Sequence, residues 1–313
     1  MFVRNAGSVL VLVSALSAVW TSASARAQEP SVTFKSSVEL VPISAVVRDG
    51  HGRLVTSLRA SDFQILDKGE PRRIVDFQID GTTPVTVAVL VDVSGSMRVG
   101  PKQALAREVV SRLTASLDEG RDQVGLFTFD VTLHQKRPFA PVTPSLEHAL
   151  DDEAPFGTTS LYDAIAETAR QLQQHPSARR GIVVITDGLD TSSAMTPPEV
   201  SAVASAIDVP VYVVVTGQPI DQTQHESREA ARTSDAQADL RELSLWTGGD
   251  LLWLTTQADA MLRARQIVTS LRHQYLIAIE SAAQPEWRPL EVRVRDRHLT
   301  VRARSGYFSR DQR

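Results

Sequence analysis

No cysteine occurs anywhere in the 313 residues, which excludes disulfides, thiolate catalysis and Cys-based zinc sites. Long apolar runs are scarce as well. Beyond residue 27 no segment approaches the roughly 20 consecutive apolar residues that a membrane-spanning helix needs. Basic residues are not in excess either: 33 Lys and Arg face 37 Asp and Glu, so the chain lacks the cationic surplus on which nucleic-acid binding draws. The common hydrolytic and nucleotide signatures are missing too. There is no H-E-x-x-H and no G-x-x-x-x-G-K-[ST], and "VSGSM" is not a G-x-S-x-G elbow. The seven histidines, His51, His134, His148, His175, His225, His273 and His298, are scattered singly and read as surface residues.

The length exceeds one average domain, and 42% of the residues are hydrophobic, enough for a sizeable core. The first stretch, "MFVRNAGSVLVLVSALSAVWTSASARAQEP", joins Arg4, an apolar run over 9–20, and the small-residue triplets Ala23-Ser24-Ala25 and Ala25-Arg26-Ala27. That pattern predicts a cleavable signal peptide over 1–27, cut after Ala27. Removing it takes away Arg4 and Arg26 and no acid, which moves the formal charge from −4 to −6. The mature protein is expected to be secreted or periplasmic, with no transmembrane helix.

Residues 28–81 form a β-rich segment. In it "VELVPISAVV" is mostly apolar, "RDGHGR" is a turn, and "DFQILDKGEPRRIVDFQI" reads as two strands around Lys68-Gly69-Glu70-Pro71. From 82 to 272 strands and helices alternate. The strand "VTVAVLV" precedes a helix over 101–117 whose Leu105, Val109, Val110, Leu113 and Leu117 share a face. The strands "QVGLFTF" and "VTLHQ" then flank Asp130, and a helix spans 161–172. "GIVVIT", a helix opened by Thr196-Pro197-Pro198-Glu199, and "VPVYVVVT" follow. A polar stretch over 217–234 is predicted to be a surface loop, and a helix ending at Thr247-Gly248-Gly249, the strand "LLWL" and a helix over 258–272 complete the region.

Such continuous apolar runs are expected of parallel strands covered on both faces. The predicted fold class is therefore α/β, with a doubly wound, mostly parallel, Rossmann-like sheet. Residues 273–313 return to β-structure. Neither flank has enough strands to stand alone, so both are predicted to join in one small β-sandwich into which the α/β domain is inserted.

In an open α/β sheet, ligands sit beyond the carboxyl ends of the strands. Three segments deliver oxygen-bearing side chains there: Asp92, Ser94 and Ser96 after the first α/β strand, Gly157-Thr158-Thr159-Ser160 before a helix, and Thr186-Asp187-Gly188-Leu189-Asp190 after "IVVI". Alternation puts residues 92, 94 and 96 on one side if the chain stays extended, with Gly95 free to bend around whatever they surround. Any one segment alone also reads as caps and turns, where Ser, Thr and Asp are favoured. Together they suit a hard divalent cation, which takes six oxygens and in the case of Mg²⁺ keeps some of them as water.

The order D-x-S-G-S, Thr loop, "TDG" resembles the von Willebrand factor A domain and its metal-ion-dependent adhesion site. "VLVDVSGSM", "TTSLYDAI", "VVITDGLDTSS", "TGG", "LRHQYLIAI" and "VRARSGYF" are similar to the bacterial secreted "VWFA-related" proteins of acidobacterial type, over about 38–308. The resemblance implies a metal site of Asp92, Ser94, Ser96, Thr159 and Asp187, holding Mg²⁺ or alternatively Mn²⁺ or Ca²⁺. In it Ser94 and Ser96 coordinate directly, and Asp92 acts through water or by orienting hydroxyls. The Thr loop reads Gly157-Thr158-Thr159 where the family usually has Gly-Gly-Thr, which leaves Thr158 as an alternative to Thr159. Asp190 reads as an exposed turn residue with the second coordination sphere as its alternative, and Asp163 as a helix-start charge.

The implied function is an exported, non-enzymatic binding module that engages an acidic side chain of an extracytoplasmic protein. A metal-dependent hydrolase and a scaffold with a structural metal are the alternatives. In "EVRVRDRHLTVRARSGYF", finally, Arg293, Arg295, Arg302 and Arg304 alternate with apolar residues and predict a solvated strand face.

Overall fold

The apolar runs become strands and the amphipathic runs become helices in the computed structural model, which describes residues 39–79, 81–177, 179–217, 228–282 and 284–309. In chain order these are β1 (Leu40–Arg48), β2 (Phe63–Asp67), β3 (Glu70–Arg72), β4 (Ile74–Ile79), β5 (Val85–Asp92), α1 (Lys102–Ser116), β6 (Gln123–Phe129) and β7 (Leu133–Pro141). Then come α2 (Leu161–Gln173), β8 (Arg179–Thr186), α3 (Pro197–Ala206), β9 (Val211–Thr216), α4 (Arg228–Thr247), β10 (Leu251–Leu254) and α5 (Gln257–Arg272). The chain closes with β11 (Tyr275–Glu280), β12 (Trp287–Val294), β13 (Thr300–Ala303) and β14 (Gly306–Phe308).

Six strands make the central sheet in the order β10-β9-β8-β5-β6-β7. All its neighbours run parallel except β6 and β7, which are antiparallel. Every residue of β5 is buried, and its two faces explain why the run is unbroken. Val85, Val87, Val89 and Val91 pack with Leu105, Val109 and Leu113 of α1 and with Ile267 and Leu271 of α5. Ala88 and Leu90 pack with Ile165 and Leu172 of α2, Val200 of α3 and Leu240 of α4. Each fully buried aliphatic side chain of this kind contributes about 1.5–3 kcal/mol, so a polar residue on either face of β5 would be costly. The winding reverses at β5, since β6 lies on one side of it and β8 on the other. That reversal opens a crevice at the carboxyl ends of β5 and β8.

The two flanks share their sheets. One has the order β13-β1-β11-β4 and the other β14-β12-β2-β3, so each combines strands from before and after the α/β region. β1 lies antiparallel to β11 with Ile43 opposite Ile277, and β12 lies antiparallel to β2 with Val292 opposite Ile65. Ile43, Ala45, Phe63, Ile65, Tyr275, Ile277, Leu290 and Tyr307 close a common core between them.

Three expectations are revised. The turn at Lys68 and Gly69 is followed by two short strands, β3 and β4, in place of one. The polar stretch expected as a loop over 217–234 enters helix α4 at Arg228; helix propensity and the buried Leu240 and Leu243 outweigh local polarity. The leader expected over 1–27, with the rest of 1–38, lies outside the described residues. Among the described residues no helix is long and apolar enough to cross a membrane.

The third revision concerns Arg304. Arg293 and Arg295 are exposed and Arg302 is half-buried, but Arg304 is only 2% exposed. β13 ends at Ala303, and the break in alternation turns Arg304 inward. Its guanidinium donates to Ser205 O at 2.6 Å and to Pro42 O, and lies 3.5 Å from Asp208 Oδ1. The C-terminal flank is thereby tied to the end of α3 and to β1. Gly248 completes the contact, because a Cβ there would sit 3.0 Å from the Ala303 carbonyl carbon and its φ is +85°.

Candidate functional site

The site is assembled by register. Val91 pairs with Ile185 across β5 and β8, so the next residues, Asp92 and Thr186, leave the sheet side by side. Thr186 Oγ1 donates to Asp92 Oδ2 at 2.6 Å, and the Ser94 N–H donates to Asp92 Oδ1 at 2.8 Å. Both carboxylate oxygens are thus engaged, and the side chain orients the loop that follows. Burial pushes the Asp92 carboxyl up to about 6 against the opposing hydrogen bonds from Ser94 and Thr186, and the nearby charge of Asp187 acts in the same direction as burial.

After Ser94 the chain does not stay extended. It enters a short 3-10 turn over Gly95–Arg98, and this turn, not strand alternation, brings Ser94 Oγ to within 3.2 Å of Ser96 Oγ. Gly95 permits the close approach of the Thr loop: its N–H donates to Gly157 O at 3.0 Å, and an added Cβ would meet that oxygen at 3.3 Å. The Phe156 N–H donates to Val93 O at 2.9 Å, a second link between the two loops.

Thr159 is buried and Thr158 is exposed. The Thr159 N–H donates to Thr191 Oγ1 at 2.9 Å, and its carbonyl accepts from the Thr191 and Ser192 N–H groups, so the Thr loop is fastened to the loop after β8. Asp190 is half-buried rather than an exposed turn residue; it caps α2, its Oδ1 accepting from the Leu161 N–H at 2.8 Å and from Ser193 Oγ at 2.6 Å. Asp163 accepts from the Ala194 and Met195 N–H groups. These two acids use their oxygens to hold the loops in place.

Asp187 differs from both. Its side chain is 3% exposed, Oδ2 accepts from Lys102 Nζ at 2.8 Å, and Oδ1 is buried without any hydrogen-bond partner. A buried acceptor left bare costs about 1–3 kcal/mol, more when charged, and a cation removes that cost. The remaining donors suit a hard ion, since all are oxygens. Two oxygens at right angles on an ion with bonds of about 2.1 Å stand about 3 Å apart, which matches the spacing of the Ser94 and Ser96 hydroxyls. Among the described residues no group of three or more His, Asp or Glu gathers anywhere to hold a metal, so an ion here would rely on hydroxyls and water beside two carboxylates.

Lys102 was not singled out in the sequence. Its signal was a cation at the first position of a helix, where the macrodipole disfavours positive charge, in a first turn that contains no acid.

Residues 87–190 match the family profile of the von Willebrand factor type A domain, a span that contains Asp92, Ser94, Ser96, Thr159 and Asp187. Among solved structures, a von Willebrand factor type A protein from Catenulispora acidiphila is similar at 12% identity over 89% of this chain and 75% of that one, with a TM-score of 0.50. BatB from Bacteroides thetaiotaomicron is 20% identical over 58% of this chain and 97% of its own, with a TM-score of 0.46. An aerotolerance-related membrane protein from Bacteroides fragilis is 22% identical over 59% and 98%, also at 0.46. At 12% identity the likeness to the Catenulispora protein is one of fold. A search of curated proteins gave no match. The profile match and the parallel sheet with its reversal at β5 agree: the chain carries a von Willebrand factor type A domain.

Proposed function

We propose that this is an exported binding protein whose A domain engages an acidic side chain of an extracytoplasmic protein through a divalent cation, Mg²⁺ with Mn²⁺ or Ca²⁺ as alternatives. The observation that carries the reading is the bare, buried Oδ1 of Asp187 beside loops that supply only hydroxyls and one further carboxylate. In this arrangement Ser94 and Ser96 present the paired hydroxyls, Thr159 offers a third, Asp187 brings charge, and Asp92 orients the loop through the Ser94 N–H. A bound cation supplies a Lewis-acidic position for a carboxylate oxygen from outside. Hydroxyl ligands add no charge, which keeps that position attractive to an anion.

The surroundings suit a protein partner. Phe156 is 76% exposed, and Val99 and Val131 are also exposed, all three on loops beside the crevice. The reading assigns no covalent step to the site.

Calorimetric titration with MgCl₂, MnCl₂ and CaCl₂, paired with thermal melts, tests it. A ligand at 100 times its Kd stabilises the folded state by about 2.7 kcal/mol, so metal is expected to raise the melting temperature of the wild type and to leave Asp187→Ala and Ser94→Ala unmoved. A melt indifferent to millimolar metal in the wild type, and equally in a variant whose Lys102 beside Asp187 is neutralised, would refute the site. Export is tested separately by expressing the full chain and sequencing the N-terminus of the mature product, which is expected to begin at Gln28.

A further inference from the structure

One of the two carboxylates at the site already has a cation belonging to the chain. Lys102 Nζ lies 2.8 Å from Asp187 Oδ2 and 3.3 Å from Ser96 O, and its side chain is 27% exposed against 3% for that of Asp187. The ammonium therefore sits at the mouth of the crevice and links the loop after β5 to the loop after β8. Its placement runs against local preference, because α1 begins at Lys102 and has no acid in its first turn, while the helix dipole repels a cation there. The contact with Asp187 is what holds it.

The charges that meet at the site are Asp92, Asp187 and Lys102, which leaves one net negative charge to attract a doubly charged ion. The two oxygens of Asp187 are divided in use: Oδ2 takes the ammonium, and Oδ1 has no partner. An ion reaching Oδ1 thus meets a fixed positive charge across the same carboxylate.

We propose that Lys102 is a built-in counter-cation that sets the metal affinity of the site, standing in for the divalent ion at Asp187 when none is bound and opposing its entry. This deepens the divalent reading above and depends on it. With Lys102 in place the ion is held weakly by the protein alone, and the negative charge that is missing is the one an acidic partner brings. Lys102 acts on the ion through Asp187 and through space, so its role is to tune affinity and not to ligate.

The test is Mn²⁺ binding to the full chain, read as free Mn²⁺ by paramagnetic resonance, together with metal-free and metal-loaded melts. Lys102→Met and Lys102→Gln remove the charge, while Lys102→Arg keeps it. Even at the dielectric of bulk water, about 80, a unit charge about 6 Å from a divalent ion changes its affinity about tenfold, and a lower effective dielectric makes the change larger. The Met and Gln variants are therefore expected to bind Mn²⁺ at least about tenfold more tightly, to melt lower without metal, and to gain more from metal than the wild type. Lys102→Arg is expected to stay near wild type. Should Met and Gln bind Mn²⁺ equally or more weakly while the wild type binds it, Lys102 is not a competitor, and only this inference falls. Absence of Mn²⁺ binding in the wild type and in every variant would overturn the divalent reading, and this inference with it. Binding by the variants alone would support both.

Discussion

Replacing Arg304 by alanine tests the joint between the A domain and the β-flanks. The side chain is 2% exposed. It donates to Ser205 O at 2.6 Å and to Pro42 O, and its Nε lies 3.5 Å from Asp208 Oδ1. Burial pulls the guanidinium below its ordinary range, opposed chiefly by the charge of Asp208. Alanine would leave Asp208, itself 8% exposed, with a buried carboxylate that keeps only its bonds from the Ser44 hydroxyl and N–H.

Breaking a buried ion pair from one side costs about 3–5 kcal/mol. Arg180 also feels the charge of Asp208, which favours the lower end of that range. For a chain of this size the loss corresponds to a fall in Tm of roughly 10 °C. The assay is urea unfolding followed by circular dichroism, with Arg293→Ala as the control. Arg293 is exposed and pairs with Glu291 on the same strand, so its loss is expected to stay within about 0.5 kcal/mol. Arg304→Lys keeps the charge but cannot reach three separate acceptors as a planar fork does, and it is expected to fall between the two. A loss for Arg304→Ala as small as that of the control would refute the reasoning, because it would mean that the joint neither carries buried polar bonds nor leaves Asp208 exposed to their absence.

Three other outcomes are expected. Gly248→Ala places a Cβ 3.0 Å from the Ala303 carbonyl carbon at a φ of +85°, and it should destabilise by about 1–3 kcal/mol in the same urea assay. Thr186→Val removes the 2.6 Å hydrogen bond to buried Asp92; a loss of about 1–3 kcal/mol together with weaker Mn²⁺ binding is expected, and unchanged Mn²⁺ affinity would show that Asp92 needs no help in orienting its loop. Asp259 at the start of α5 is lowered from 3.8 to about 2, first by the Thr255 hydroxyl and then by that of Thr256. A folded value below the unfolded one means that the stabilisation is complete above the unfolded value and lost as pH falls through about 2. A carbon-detected NMR titration of the Asp259 carboxyl checks the midpoint, and Asp259→Asn should remove this component of acid sensitivity.

Much of the A domain was legible because its signals are local. The apolar run of β5 announces a strand covered on both faces, and Thr196-Pro197-Pro198-Glu199 announces a helix start that the structure builds with Thr196 and Glu199 hydrogen-bonded to each other. The oxygen-bearing segments could be brought together from sequence because parallel strands of one sheet end at the same edge. Their internal geometry could not. Whether Ser94 and Ser96 meet through alternation or through a turn depends on Gly157 O arriving to bind Gly95, a contact between residues far apart in the chain.

Composition and periodicity by themselves determined that this chain has a parallel α/β unit between two β-rich flanks, with carboxylates and hydroxyls at the strand ends and no cysteine chemistry. Those features follow from side-chain type and spacing, which act within a few residues. Tertiary structure alone decided that β1 lies beside β11, that Arg304 is a buried fastening and not a solvated arginine, and that Lys102 neutralises Asp187. Each of these is set by which distant groups share a low-dielectric space, where a charge has to find its opposite or be excluded, and spacing along the chain carries no measure of that.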